Sequence, residues 1–260
     1  MKAFHHIALA ALALLACIAR AEKAPEQSAA AQEKAPIGFS AHVELGNDFR
    51  FRGISQTGFK PTVNSGLEYI DASGFYLGNW DSNVCWISTG QSGSSYPIEM
   101  DFYGGYTKDW EDIGLGVDLG TVLYYYPGRG PTSTPKKPST HEIFFALAYR
   151  FVSLKVFYTT ANLFGSPNSA GSTYLVLATE YDTGFEGITL VGHVGRQTVR
   201  SAGVANYADW EIGLTKEFSG KLTAKLSYVG TNAKTVAYQN PVDGRNLGHA
   251  AVQVSLTQAF

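Results

Sequence analysis

From Phe39 onward the chain alternates apolar and polar positions with a period of two, in segments of about ten residues that recur to the C-terminus. The first segment sets the pattern. Phe39, Ala41, Val43, Leu45, Phe49 and Phe51 take one face, and Ser40, His42, Glu44, Gly46, Asp48, Arg50 and Arg52 take the other. Only Asn47 interrupts the apolar face. A strand with one face in an apolar medium reads this way. The alternation returns over residues 63–69, 98–106, 113–125, 143–149, 152–158, 175–181, 188–194, 210–214, 222–228 and 252–260. Residues 74–84 are a strand by composition, with the facing left open. The pattern predicts an all-β fold: a transmembrane antiparallel up-and-down β-barrel of about 12 strands.

The connections support that architecture. Short ones fall at 71–73, 108–112, 150–151, 183–186 and 219–220. Long ones fall at 55–60, 85–96, 127–140, 162–171, 197–206 and 231–247, in strict alternation with the short. Short periplasmic turns and long external loops are the outer-membrane arrangement. Aromatics fall into two belts. Tyr69, Tyr106, Trp110, Tyr149, Tyr181, Phe218 and Phe260 are expected at the short-turn end. Trp80, Tyr125, Tyr158, Tyr207, Trp210 and Tyr228 are expected at the long-loop end. A soluble β-sandwich has no need of two belts. A lipocalin-like barrel would turn its apolar side chains inward.

Composition sharpens the picture. Hydrophobic residues make up 45% of the chain but charged residues only 16%, against about 25% in a soluble domain, so much of the surface is expected to avoid water. No apolar run long enough for a helical span follows the N-terminus. The formal charge of −2 argues against nucleic acid as a partner. No Gly-rich phosphate loop and no Cys/His metal spacing occur, so neither a cofactor nor a metal is expected.

Residues 1–21 read as a signal peptide: Lys2, an apolar stretch over 7–16, and Ala19-Arg20-Ala21 as the cleavage site. Leu14-Leu15-Ala16-Cys17 also resembles a lipoprotein signal acylated on Cys17. If Cys17 leaves with the leader, Cys85 is the only cysteine. Residues 22–36 read as a disordered periplasmic tail, and 37–260 as the barrel.

Several stretches together resemble the TorF-type family of porin-like outer-membrane proteins of Gram-negative bacteria. They are Phe49-Arg50-Phe51-Arg52-Gly53-Ile54-Ser55-Gln56, Ser73-Gly74-Phe75-Tyr76 running on to Trp80 and Ser82-Asn83-Val84, residues 99–106, Leu123-Tyr124-Tyr125-Tyr126-Pro127-Gly128, His193-Val194-Gly195, residues 207–214, and Tyr228-Val229-Gly230-Thr231-Asn232-Ala233. The resemblance implies an outer-membrane barrel and a porin label. It implies no catalytic residues and no particular substrate. Cys85 and Gln258 depart from the family's habit.

The polar faces define the candidate site. Glu44, Asp48, Glu68, Glu99, Asp101, Asp118, Glu142 and Glu180 are expected to line a lumen with Arg50, Arg52, Lys155, Lys225 and His193. Acids outnumber bases, so a channel there would weakly favour cations. The alternative is that these groups pair with one another as barrel filling. His42, Glu44 and Asp48 share a face, but inward polar positions do this by default, and no short motif marks a Ser–His or Asp–His centre. His193 reads as lumen structure rather than as a ligand. The Tyr124-Tyr125-Tyr126 run reads as interface belt and rim. No enzymatic activity is expected. Val252, Val254, Leu256 and Phe260 are expected to form the strand that closes the barrel.

The expected function is an outer-membrane channel for small hydrophilic solutes. A closed barrel with a structural or surface-interaction role is the alternative, and an outer-membrane enzyme a third. The expected partners are outer-membrane lipid, the barrel assembly machinery and small hydrophilic solutes.

Overall fold

A computed structural model describes residues 37–87, 95–129 and 138–260. The leader and tail expected at 1–36 lie outside the described residues. Among the described residues fourteen strands run in chain order: β1 (Gly38–Gly46), β2 (Arg50–Phe51), β3 (Ile54–Ser55), β4 (Thr62–Ile70), β5 (Phe75–Asn83), β6 (Ile98–Trp110), β7 (Leu115–Tyr125), β8 (Thr140–Tyr149), β9 (Val152–Thr159), β10 (Thr173–Phe185), β11 (Ile188–Thr198), β12 (Tyr207–Phe218), β13 (Leu222–Thr231) and β14 (Ala251–Ala259). All but β2 and β3 form one closed antiparallel barrel of twelve strands, each paired with its sequence neighbour in the wall. β14 closes the ring on β1, with Leu45 opposite Leu256 and Glu44 opposite Thr257. Phe260 follows β14 and donates its N–H to the Ala41 carbonyl at 2.9 Å. Closure matters because an unpaired strand edge in hydrocarbon leaves backbone groups without partners.

The outer face carries Phe39, Val43, Leu45, Leu67, Leu119, Phe145, Leu177, Ile212, Leu226 and Val254, all exposed. Over most of the wall these residues make an apolar belt of a kind that marks a surface turned away from water. Among the described residues no helix is long and apolar enough to cross a membrane, which says nothing of a β-barrel. Two belt assignments need correction. Trp80 and Tyr207 are buried inside the barrel, not at the outer interface. Both share strand parity with inward-facing neighbours, Ser82 and Asp209, and facing follows parity in a strand. The Tyr run divides by the same rule. Tyr125 is exposed on the outside, while Tyr124 and Tyr126 are buried within.

Inner glycines make room for inward rings. A Cβ on Gly78 would lie 2.4 Å from the Tyr103 ring, so the large side chain of one strand occupies the space its neighbour leaves empty.

The largest departure from the sequence reading is in the first segment. The alternation through Arg52 predicts a single long strand, but β1 ends at Gly46. Asn47 is the reason. Its backbone N–H bonds the Val254 carbonyl at 3.1 Å, its side-chain amide donates to the Val252 carbonyl at 3.0 Å, and its Oδ1 accepts from Val254 N–H at 3.0 Å. The carboxamide thus stands in for Asn47's own carbonyl towards Val254 and for the Phe49 N–H towards Val252, the groups that a continuing ladder would use. The chain is then free to leave the wall and fold inward. Phe49 and Phe51, expected to face lipid, are buried in the lumen.

Candidate functional site

Residues 48–57 form a plug inside the long-loop end of the barrel. β2 and β3 are a two-residue hairpin, with Phe51 opposite Ile54. Its turn residues, Arg52 and Gly53, have φ of +48° and +76°. Positive φ at both central positions is the type I′ geometry that matches strand twist. Gly53 is required twice over, because a Cβ there would also lie 2.5 Å from Thr231 Cγ2 and 2.8 Å from Asp209 Cβ. The tip therefore rests against the inner faces of β12 and β13.

Asp48 organises the base of the hairpin. It accepts from Arg50 Nε at 2.6 Å, Ser55 Oγ at 2.6 Å and Thr57 Oγ1 at 2.8 Å. Arg50 Nη1 also donates to the carbonyls of Gly53 and His249, both at 2.9 Å. Ser55 N–H bonds the Leu247 carbonyl at 2.9 Å, and Cys85 N–H bonds the Gln56 carbonyl at 2.8 Å. The hairpin is thus tied to the second long loop and to the segment that leads into β14.

Arg52 spans the lumen. Its Nη2 lies 2.5 Å from Glu142 Oε2 on β8, and Nη1 donates to Gln197 Oε1 on β11 at 2.8 Å. Its guanidinium sits 4.4 Å from the Tyr174 ring centroid and 4.9 Å from that of Phe157, a cation–π setting. Glu142 also accepts from Thr159 Oγ1 at 2.8 Å and from the Tyr124 hydroxyl at 3.3 Å. Above this pair an aromatic cluster closes over the hairpin. Phe164, from the loop between β9 and β10, packs edge-on to Phe51 and Trp86 and beside Tyr124.

The other expected lumen residues lie on the inner face at other levels. Glu99 and Asp101 on β6 are buried. Asp118 accepts from the Tyr76 hydroxyl at 2.6 Å and faces Lys155 Nζ at 3.7 Å; Lys155 lies over the Phe144 ring. Glu44 accepts from Asn64 at 2.8 Å and from Thr257 at 2.9 Å. Glu180 is buried on β10, and Glu68 is partly open on β4. The inward hairpin therefore brings Arg52 to Glu142, and the wall itself brings Lys155 to Asp118. Arg50 stays with Asp48 inside the hairpin.

A second cluster was only partly legible beforehand. His193 Nε2 lies 2.7 Å from Asp209 Oδ2, and its Nδ1 lies 3.4 Å from Glu211 Oε2. Lys225 Nζ lies 2.6 Å from Glu211 Oε1, and the Tyr174 hydroxyl bonds Asp209 at 3.0 Å. Asp209 and Glu211 were missing from the expected lining. Their strand parity, opposite to Trp210 and Ile212, was the signal for them. Among the described residues no cluster of His, Cys, Asp and Glu could hold a metal ion.

Solved structures with some likeness to this chain include the KdgM porin in complex with disordered oligogalacturonate (9% identity, 85% of this chain and 98% of that one, TM-score 0.49). The COG4313 outer membrane channel from Pseudomonas putida F1 is another (10% identity, 93% and 100%, TM-score 0.47), as is outer membrane phospholipase A from Escherichia coli (11% identity, 86% and 92%, TM-score 0.45). No curated protein is similar in sequence. The sequence model described as "Bacterial protein of unknown function (Gcw_chp)" matches residues 30–260, the whole barrel included, and the chain belongs to that family.

Proposed function

We propose that the protein is a channel of the Gram-negative outer membrane for small hydrophilic solutes, in which the β2–β3 hairpin is the gate. In this reading residues 1–21 direct export, the barrel assembly machinery inserts the chain into outer-membrane lipid, and the TorF-type porin label applies. One observation supports it above others. The inner wall is polar and charged, and its obstruction at the long-loop end is a segment that leaves the wall and is held by side-chain bonds. A barrel serving only as a scaffold could be filled from its own wall, as Lys155 and Asp118 fill it lower down.

With the hairpin seated, Arg50 is 2% and Glu142 0% exposed, so conduction needs the hairpin to move aside. Twelve strands lie below the roughly 16–18 of open porins, which suits a narrow path. Acidic groups outnumber basic ones on the described inner face, so the open state favours cations. No catalytic step is proposed.

The test is conductance in planar bilayers, comparing the native protein with a variant whose residues 49–56 are replaced by a short Gly-Ser turn. The native barrel should open rarely and the variant steadily, with a reversal potential favouring cations in a salt gradient. A folded, inserted variant that stays silent would replace the channel by the second reading, a closed barrel acting through its loops. The full burial of the Arg52–Glu142 pair is the observation on that side. Equal, steady conduction by both proteins would remove the hairpin's role as gate.

A further inference from the structure

One sector of the outer wall breaks the apolar belt. On β5, Phe75 and Leu77 face outward and are exposed, but the next two outward positions are Asn79 and Asp81. Asn79 is the fifth residue of a nine-residue strand. It is flanked across the ladder by Leu67 on β4 and Phe102 on β6, both exposed apolar residues of the belt. Asp81 has Ser65 on one side and Met100 on the other.

The Asn79 amide donates to Asp81 Oδ1 at 3.1 Å and to the Asp101 carbonyl at 3.3 Å. The second Asp81 oxygen and the Asn79 carbonyl oxygen have no partner among the described residues. Acyl chains offer no donor, so polar groups at this depth are costly unless another protein meets them. The relief of the wall is low at the same place: Gly104 follows Leu77 across the ladder, with Thr121 beyond it. Without a hydrophobic drive between surfaces in lipid, close approach over small residues and interfacial hydrogen bonds are what hold such surfaces together.

We propose that this face of β4–β6 is the interface between two copies of the chain, related by a twofold axis along the membrane normal. Two features select a second copy over other occupants. Both Asn79 amide hydrogens are taken within the copy, by Asp81 and by the Asp101 carbonyl, so a donor this face still offers is the Ser65 hydroxyl, directly opposite Asp81. Across a twofold axis Ser65 of each copy can donate to the open Asp81 oxygen of the other, so each copy offers what the other lacks. An identical barrel in the same membrane brings these groups to the same depth, which an unrelated partner need not do. Isologous pairing is also the commonest symmetry of protein oligomers.

The first experiment is oxidative cross-linking in native outer membranes, with Asn79→Cys in a Cys17→Ser/Cys85→Ser background. A dimer band is expected. Val194→Cys, outward on β11, is the control and should give none. The second is the mass of the detergent-solubilised native protein against Asn79→Leu/Asp81→Leu. The native protein should be a dimer and the variant a monomer that still shifts its gel mobility on boiling. A native monomer, a dimer that cross-links equally from Val194→Cys, or a folded double variant that remains dimeric would each overturn the proposal.

Discussion

Arg52 and Glu142 are ninety positions apart in the chain, yet Nη2 of the one and Oε2 of the other lie 2.5 Å apart across the lumen. Neither is exposed to solvent. The pair fixes the tip of a hairpin that belongs to none of the twelve wall strands, and so ties the first part of the barrel to the middle of it.

Removing one member of a buried pair leaves the other charge uncompensated, at a cost of about 3–5 kcal/mol. Arg52→Ala should therefore loosen the hairpin strongly, whereas Arg52→Met with Glu142→Gln should recover much of the loss. Urea unfolding in detergent, followed by gel mobility without boiling, measures both. Equal destabilisation by the single and double variants would mean that the pair does not hold the hairpin. In the gated channel proposed here, Arg52→Ala should also raise open probability.

Asn47 should be a hinge rather than an ordinary strand residue. Asn47→Ala removes two side-chain hydrogen bonds to β14, each worth about 0.5–1.5 kcal/mol. Stability should fall by about 1–3 kcal/mol, and hydrogen exchange should quicken at Val254, whose N–H loses its acceptor. Unchanged exchange at Val254 would refute the role given to the carboxamide.

Depth within the belt sets the cost of a charge on the outer wall. Leu177 is flanked by Leu154 on β9 and Val194 on β11, while Phe185 is the last residue of β10 beside a short turn. Leu177→Arg should cost about 2–4 kcal/mol and Phe185→Arg about 0–1 kcal/mol. Refolding titrations into lipid vesicles give both values. Similar values at the two sites would place the belt wrongly.

Cys85 reports on hairpin seating. Burial pushes its thiol above the ordinary value; Asp48 and Asp243 add to the rise and Lys60 opposes it. The thiolate is the reactive form. Maleimide labelling of the folded protein should thus be slower than that of a free thiol at neutral pH, and should reach half its limiting rate at a higher pH. Because Cys85 N–H bonds the hairpin at Gln56, Arg52→Ala should speed labelling towards the free-thiol rate. Native protein that already labels like a free thiol would contradict this environment.

Gln258 and Cys85 sit apart from the pattern for ordinary reasons. Gln258 faces outward near the short-turn end, opposite Val43 and Leu222, where its amide donates to the Gly220 carbonyl at 2.8 Å. Cys85 lies in a long loop against Gly58.

The sequence by itself determined the wall. Period-two alternation is a local property, readable strand by strand, and once one face must meet lipid the strand count, the facing of Glu142 or Lys155 and the alternation of short and long connections follow from it. The one strand whose facing could not be read, β5, is the one where Asn79 and Asp81 stand in the outward row. The inward turn of residues 48–57 was decided only in three dimensions. Phe49, Arg50, Phe51 and Arg52 keep the same alternation whether they continue a wall strand or cross a lumen. The choice depends on partners far along the chain: Val252 and Val254 for Asn47, Glu142 and Gln197 for Arg52, Thr231 against Gly53. A pattern records which side of a residue is apolar, but not which distant side chain will meet it there, so the barrel was legible and the hairpin that fills it was not.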